Sequence, residues 1–149
     1  MKKKTRTQYC LGFMFSRDFK KVALIQKAKP EWQAGKFNGI GGKVEEGETY
    51  IEAMTREFFE ETGVYTPSHI WIPICKMFDK ARLEWSVKVF YSTNLSNYHI
   101  ETTTAEEVRI FETQEILSPT RSIEIIPNLT WLIPMCMDEN DISGMVMYG

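Results

Sequence analysis

The sequence predicts an α/β or α+β sandwich built as one domain over residues 1–149. Three observations carry this. Runs rich in β-branched and aromatic residues lie on both sides of one strong helix pattern. A second helical stretch follows the last of the longer runs. With 149 residues, 43% of them hydrophobic and 26% charged, the chain has the balance of an ordinary globular protein, able to bury roughly two thirds of its unfolded surface.

The elements follow in order. Thr7–Phe15 and Lys21–Gln26 read as two strands, with Ser16–Lys20 as a hairpin connection. Lys27–Gly35 is a loop punctuated by Pro30 and Gly35, and Lys36–Gly41 a short strand ending in Gly41-Gly42. Residues 49–62 form the clearest helix. Thr49 followed three residues later by Glu52 is a capping box, and Gly63 stands where a left-handed cap is wanted. Ile51, Met54 and Phe58 recur at helical spacing and should face a core. Ile70–Phe78 and Leu83–Thr93 read as strands, Val108–Phe111 as another, and Met145–Tyr148 as a weak last one. Asn128–Asp138 reads as a C-terminal helix that Pro134 kinks or limits.

Composition excludes several function classes. The formal charge of −2 argues against broad nucleic-acid binding, which needs a basic face. No apolar run approaches the roughly 20 residues of a membrane span, so no membrane partner is expected. The basic start Met1–Arg6 runs into an apolar stretch too short for a secretory signal and without a small-residue cleavage site. Cys10, Cys75 and Cys136 are far apart in apolar surroundings. They read as buried free thiols in a reducing compartment, which points to the cytoplasm. His69 and His99 are isolated and read as surface or strand-edge residues.

The chemistry is concentrated in Gly42–Val64, GKVEEGETYIEAMTREFFEETGV. Glu57, Glu60 and Glu61 stand at i, i+3 and i+4, so their carboxylates share one helical face, where like charges repel. On the helix alone a solvated acidic face would be the commoner explanation. Mg²⁺, a hard cation, takes such oxygens and usually binds together with substrate phosphates. Arg56 can orient one carboxylate, Glu48 or Glu60. Gly41 and Gly42 lack a Cβ, so backbone there can approach a metal or a phosphate.

This segment resembles the Nudix box, G-x5-E-x7-R-E-U-x-E-E-x-G-U with U a bulky apolar residue. Gly42, Glu48, Arg56, Glu57, Glu60, Glu61 and Gly63 fill the invariant slots, and Phe58 and Val64 the apolar ones. Phe58 is aromatic where the family more often has an aliphatic residue. The resemblance implies a Nudix-type α/β/α sandwich with a mixed sheet and a metal-dependent hydrolase. Water would attack an internal phosphorus of a nucleoside polyphosphate. Glu57, Glu60 and Glu61 would hold Mg²⁺ or Mn²⁺, with the Gly41 carbonyl as a further ligand. Glu107 is similar in position to an acidic residue outside the box that ligates metal or assists in some members. Glu57 is the first choice for the general base, with Glu107 and Glu61 as alternatives, and Arg56 belongs to the same catalytic group.

The flanks narrow the substrate. Trp32–Val44 is similar to the same region of the animal enzymes that hydrolyse oxidised purine nucleoside triphosphates. The resemblance puts Asn38 on the base, Trp32 beside the base pocket and Asn128 as the second base-reading residue; an amide offers both donor and acceptor. Ile126 stands where those enzymes have a stacking tryptophan, and Leu129 where they have a second acid. Phe78 could supply stacking from a strand instead, with Gly42 and Lys27 as candidate contacts to substrate phosphate. The proline that marks ADP-ribose hydrolases downstream of the box is missing around Lys80. Ala81 and Arg82 stand where dinucleoside polyphosphate hydrolases have a tyrosine, and the upstream coenzyme A signature is absent. These features favour a nucleoside triphosphate cleaved to monophosphate and pyrophosphate by a monomer or homodimer. The competing readings are another Nudix substrate, such as ADP-ribose, a nucleotide sugar, a dinucleoside polyphosphate or a capped RNA end, and a domain that only senses a nucleotide. Sensors typically lose box carboxylates, and none is lost here.

Overall fold

The computed structural model describes residues 6–81 and 84–138, and the backbone of a strand at 144–148. Its centre is a mixed sheet. The strands are β1 (Thr7–Phe15), β2 (Lys21–Gln26), β3 (Phe37–Asn38), β4 (Ile40–Lys43), β5 (Ile72–Asp79), β6 (Trp85–Ser92), β7 (Val108–Glu112) and β8 (Gly144–Tyr148). The helices are α1 (Tyr50–Thr62), α2 (Thr113–Leu117) and α3 (Leu129–Met137).

The sheet runs β3-β2-β1-β6-β5-β8, with β4 also on β1 and β7 also on β2. The β1–β6 and β5–β8 pairs are parallel, and the other pairs antiparallel. One edge of β1 is shared: β2 takes its C-terminal end, at Met14 and Phe15, and β4 takes Tyr9–Gly12. Lys36–Gly41, expected as one strand, is therefore two short ones, since the chain changes partner from β2 to β1 at Gly39.

Strand alternation builds a core on each face of the sheet. Leu11, Phe13 and Phe15 of β1, Val22 and Leu24 of β2 and Val89 of β6 join Leu129, Leu132 and Ile133 of α3. Cys10 and Met14, Ala23 and Ile25, and Phe90 join Met54 and Phe58 of α1. Helices thus cover both faces, as the sandwich expectation requires. All three cysteines are free and buried. Burial pushes the Cys10 and Cys136 thiols up to about 12 and the Cys75 thiol up to about 11, which leaves them protonated and unreactive. His69 and His99 are exposed. No helix of the described residues is long and apolar enough to cross a membrane.

α1 forms where its caps specify. The Thr49 hydroxyl accepts from Glu52 N at 3.1 Å, and the Glu52 carboxylate accepts from Thr49 N at 3.0 Å. Gly63 closes the helix at φ 77°, with its N–H on the Phe59 carbonyl. Met54 and Phe58 are fully buried, and Ile51 packs at the rim. Thr49→Ala removes the cap acceptor, with an expected loss of about 1 kcal/mol. Thermal denaturation should show it as a fall in Tm of roughly 2–4 °C; an unchanged Tm would mean that packing alone fixes this end. In α3, Pro134 lies inside the helix and the helix runs on to Met137.

Candidate active site

The box segment folds around the guanidinium of Arg56. Its Nε donates to Glu48 Oε2 at 2.7 Å and its Nη2 to Glu48 Oε1 at 3.0 Å. Nη2 also donates to the Lys43 carbonyl at 2.9 Å. Nη1 donates to Glu57 Oε1 at 2.9 Å and reaches both Glu60 oxygens at 3.3 Å. Both expected partners, Glu48 and Glu60, are therefore on one cation, together with Glu57. The fork on Glu48 is the strong two-pronged kind. With Glu48 Oε1 also accepting from Glu45 N at 3.0 Å, it ties the β4–α1 loop to the helix face.

Glu57 is 13% exposed and Glu60 50%. Burial, helped by the charges of Glu60 and Glu61, holds the Glu57 carboxyl above its ordinary range against the pull of Arg56. Burial likewise raises Glu61; Glu106 and Glu60 add to this, while Thr104 and Lys27 oppose it. Glu48 is held below the usual carboxylate range, chiefly by its hydrogen bonds from Arg56. The Glu57 carboxylate lies against Gly42, where a Cβ would stand 2.5 Å from its Cδ and Oε1.

A divalent cation fits this donor set by its chemistry. Three carboxylates share a helical face, and two of them sit where negative charge is disfavoured, so a cation would relieve both burial and repulsion. Among the described residues no three acidic, histidine or cysteine side chains already gather at ligating distance. Glu57 Oε1 is turned to Arg56 and Glu61 Oε2 to Thr104.

The NUDIX domain family matches residues 7–131. The chain belongs to the Nudix family. Divalent metals are general among Nudix hydrolases. The fold is also similar to solved members. A NUDIX hydrolase from Nitrosomonas europaea superposes with a TM-score of 0.74 at 18% identity, over 99% of this chain and 82% of that one. A MutT protein from Bacillus halodurans gives 0.65 at 21%, over 95% and 90%. The NUDIX domain of Shewanella oneidensis NrtR, solved with ADP ribose, gives 0.73 at 18%, over 91% and 88%. Among curated proteins, the oxidized purine nucleoside triphosphate hydrolase of Danio rerio is 49% identical over 41 residues, and that of Mus musculus 46%. The match covers 28% of this chain and spans about a quarter (26%) of the length of those relatives.

Around the Nudix box the other expected residues fall unevenly. Glu107 is exposed and forks onto Arg109 at 2.8 and 3.2 Å. Its neighbour Glu106 is the carboxylate that faces inward. It accepts from Ala28 N at 2.6 Å, pairs with Lys27 Nζ at 3.3 Å, and acts on Glu61. The reason is local: the Glu107 carbonyl takes Gln26 N at 2.8 Å at the start of the β2–β7 ladder, and alternation sends the adjacent side chain the other way.

Asn38 accepts from Gly39 N at 2.8 Å and donates to Gln33 Oε1 at 3.4 Å. Trp32 lies on the short turn Glu31–Gln33 and is 62% exposed. Residues 124–126 run beside Phe37, with Ile126 N on the Phe37 carbonyl at 2.9 Å, which sets Asn128 just beyond the edge of β3. Asn128 occupies the N-cap position of α3 without capping it. Its Nδ2 meets Met77 Sδ at 3.9 Å, and its Oδ1 is buried with no hydrogen-bond partner. Phe78 does not share that face. It stands opposite Ser86, which bonds Tyr50 of α1, whereas Met77 packs in the α3 core. Strand alternation therefore sets Phe78 and the Met77–Asn128 contact on opposite faces of β5.

Proposed function

We propose that this protein hydrolyses purine nucleoside triphosphates to monophosphate and pyrophosphate with Mg²⁺ or Mn²⁺, with oxidised purines among its substrates. The observation that carries the substrate reading is Asn128. An asparagine at an N-cap ordinarily accepts a backbone N–H of the first turn. Here the amide turns away from its helix and leaves a buried carbonyl oxygen orphaned, which is costly unless a ligand completes it. A purine edge offers the donor it lacks. Asn38 is already engaged by Gln33 and Gly39, so base reading rests on Asn128. The resemblance to the animal enzymes over Trp32–Val44 and the partial matches to them support the same choice.

Glu57, Glu60 and Glu61, with the Gly41 carbonyl, would hold the cation, which would lower the pKa of water and offset charge on the leaving phosphates. Glu57 is the group assigned to take the proton from water, with Glu61 as the alternative. Its burial against Gly42 keeps the carboxylate raised towards the working range of a base. Arg56 holds Glu57, Glu60 and Glu48 in register. Lys27, which pairs with Glu106 at 3.3 Å, would meet substrate phosphate on leaving that partner. Three buried free cysteines suit a cytoplasmic protein.

The test is a substrate panel with Mg²⁺: normal and oxidised nucleoside triphosphates, ADP-ribose and diadenosine polyphosphates, with products resolved by chromatography. Monophosphate plus pyrophosphate from a purine triphosphate supports the proposal. Cleavage confined to ADP-ribose or the dinucleotides would refute the substrate assignment while keeping the chemistry. Nucleotide binding without turnover would identify a sensor. Asn128→Ala should raise KM for the preferred purine by about 5- to 30-fold, the worth of roughly 1–2 kcal/mol of hydrogen bonding, with kcat little changed. An unchanged KM would exclude Asn128 from the pocket.

A further inference from the structure

Three consecutive threonines precede β7, and each hydroxyl has its own partner. Thr102 Oγ1 accepts from Val108 N at 2.9 Å, which closes the loop on the start of the strand. Thr103 Oγ1 donates to the Glu60 carbonyl, and Glu101 N donates to the Thr62 carbonyl at 3.1 Å. These carbonyls lie in the last turn of α1 and have no donor within the helix. The loop is thereby fastened to the helix end. Thr104 Oγ1 then stands 3.0 Å from Glu61 Oε2 and accepts from Glu106 N at 3.1 Å. Its single proton has two acceptors in reach. The Glu106 carbonyl is at 3.4 Å, and the Glu61 carboxylate is both nearer and charged, hence the stronger.

We propose that Thr104 is a positioning residue for Glu61: its hydroxyl ties down one carboxylate oxygen and leaves the other presented to the divalent cation. Glu61 needs such a restraint. It sits among the like charges of Glu60 and Glu106, and a glutamate free to turn would swing away from them. Outer hydrogen bonds that orient metal-holding side chains typically change metal affinity 10- to 100-fold. The inference rests on the reading of Glu61 as a metal-holding residue.

The test is Mn²⁺ binding to the full chain, followed by the electron paramagnetic resonance signal of free Mn²⁺, with Tm recorded for each variant. Thr104→Val should weaken binding about 10-fold, and Thr104→Ser should restore it to within about 2-fold. Because Thr104 acts through Glu61, adding Thr104→Val to Glu61→Gln should weaken binding no further. Should the valine variant fold poorly, Thr104→Ala carries the same expectation. If Glu61→Gln binds Mn²⁺ like wild type, the metal reading of Glu61 fails and the proposal falls with it. If Glu61→Gln weakens binding and Thr104→Val does not, only Thr104 is wrongly assigned. Equal weakening by Thr104→Val in both backgrounds would overturn it too, since the loop would then act without Glu61.

Discussion

Glu57→Gln is expected to lower kcat by about 10²–10⁴-fold while leaving the protein at least as stable as wild type. The amide has the same shape and still accepts from Arg56 Nη1, now at 2.9 Å from Glu57 Oε1. It lacks the charge and the basicity that the chemistry requires. Stability goes the other way because of the sign of the shift. Burial raises the Glu57 carboxyl in the fold, so the folded state prefers it protonated. That preference stabilises the fold at low pH and is lost as pH rises through the raised value. At neutral pH the ionised carboxylate is a cost of function, and a neutral amide escapes it. Mg²⁺ should raise the Tm of wild type, since it binds the folded form, and raise that of the variant less. Turnover within about 10-fold of wild type at saturating Mg²⁺ would remove Glu57 from the chemistry. A variant that melts well below wild type would show that the Arg56 pair outweighs the burial.

The same carboxylate shows which parts of the site could be read from the chain. Strands β1 and β2 and helix α1 were legible because local rules specify them: alternation, a capping box, and Gly63 at a left-handed cap. The i, i+3, i+4 spacing of Glu57, Glu60 and Glu61 gave a shared face, and the fold keeps it. What local rules cannot supply is the partner across space. Glu106 and Glu107 are chemically equivalent neighbours. Only the pairing of Gln26 with the Glu107 carbonyl decides that Glu106 turns inward. Thr102–Thr104 carry no pattern of their own, and their roles exist only once the loop meets the end of α1. Phe78 is a stacking candidate by residue type alone, and only the register shows that it stands opposite Ser86, on the other face of β5 from Met77. Helix α2, five residues long, is too short to show a period. Gln33, which holds Asn38, sits in a turn with no helical or strand signal.

Gly42, which opens the box, and Gly41 just before it should separate stability from activity. Gly41→Ala is expected to cost about 3 kcal/mol, a fall in Tm of roughly 10 °C. A Cβ on Gly41 would lie 2.0 Å from the Cys10 carbonyl oxygen and 2.8 Å from its carbon. Those are backbone atoms of β1, held in register by the Leu11–Gly41 and Cys10–Gly42 pairs, so relief requires β4 to part from the central strand. Gly42→Ala meets a different obstacle. Its Cβ would stand 2.5 Å from Cδ and Oε1 of Glu57, the tip of a flexible side chain that can move aside. Stability should change by less than about 1 kcal/mol. The carboxylate, however, must leave the place from which it acts, and a shift of about 1 Å can cost roughly 10²-fold in rate. Thermal melts and steady-state rates on the two variants decide the matter. A destabilised Gly41→Ala beside a stable, slow Gly42→Ala shows that adjacent glycines answer to different neighbours, one to the sheet and one to the carboxylate. A Gly42→Ala as active as wild type would mean that Glu57 works from another rotamer, freed from Gly42 and turned away from Arg56.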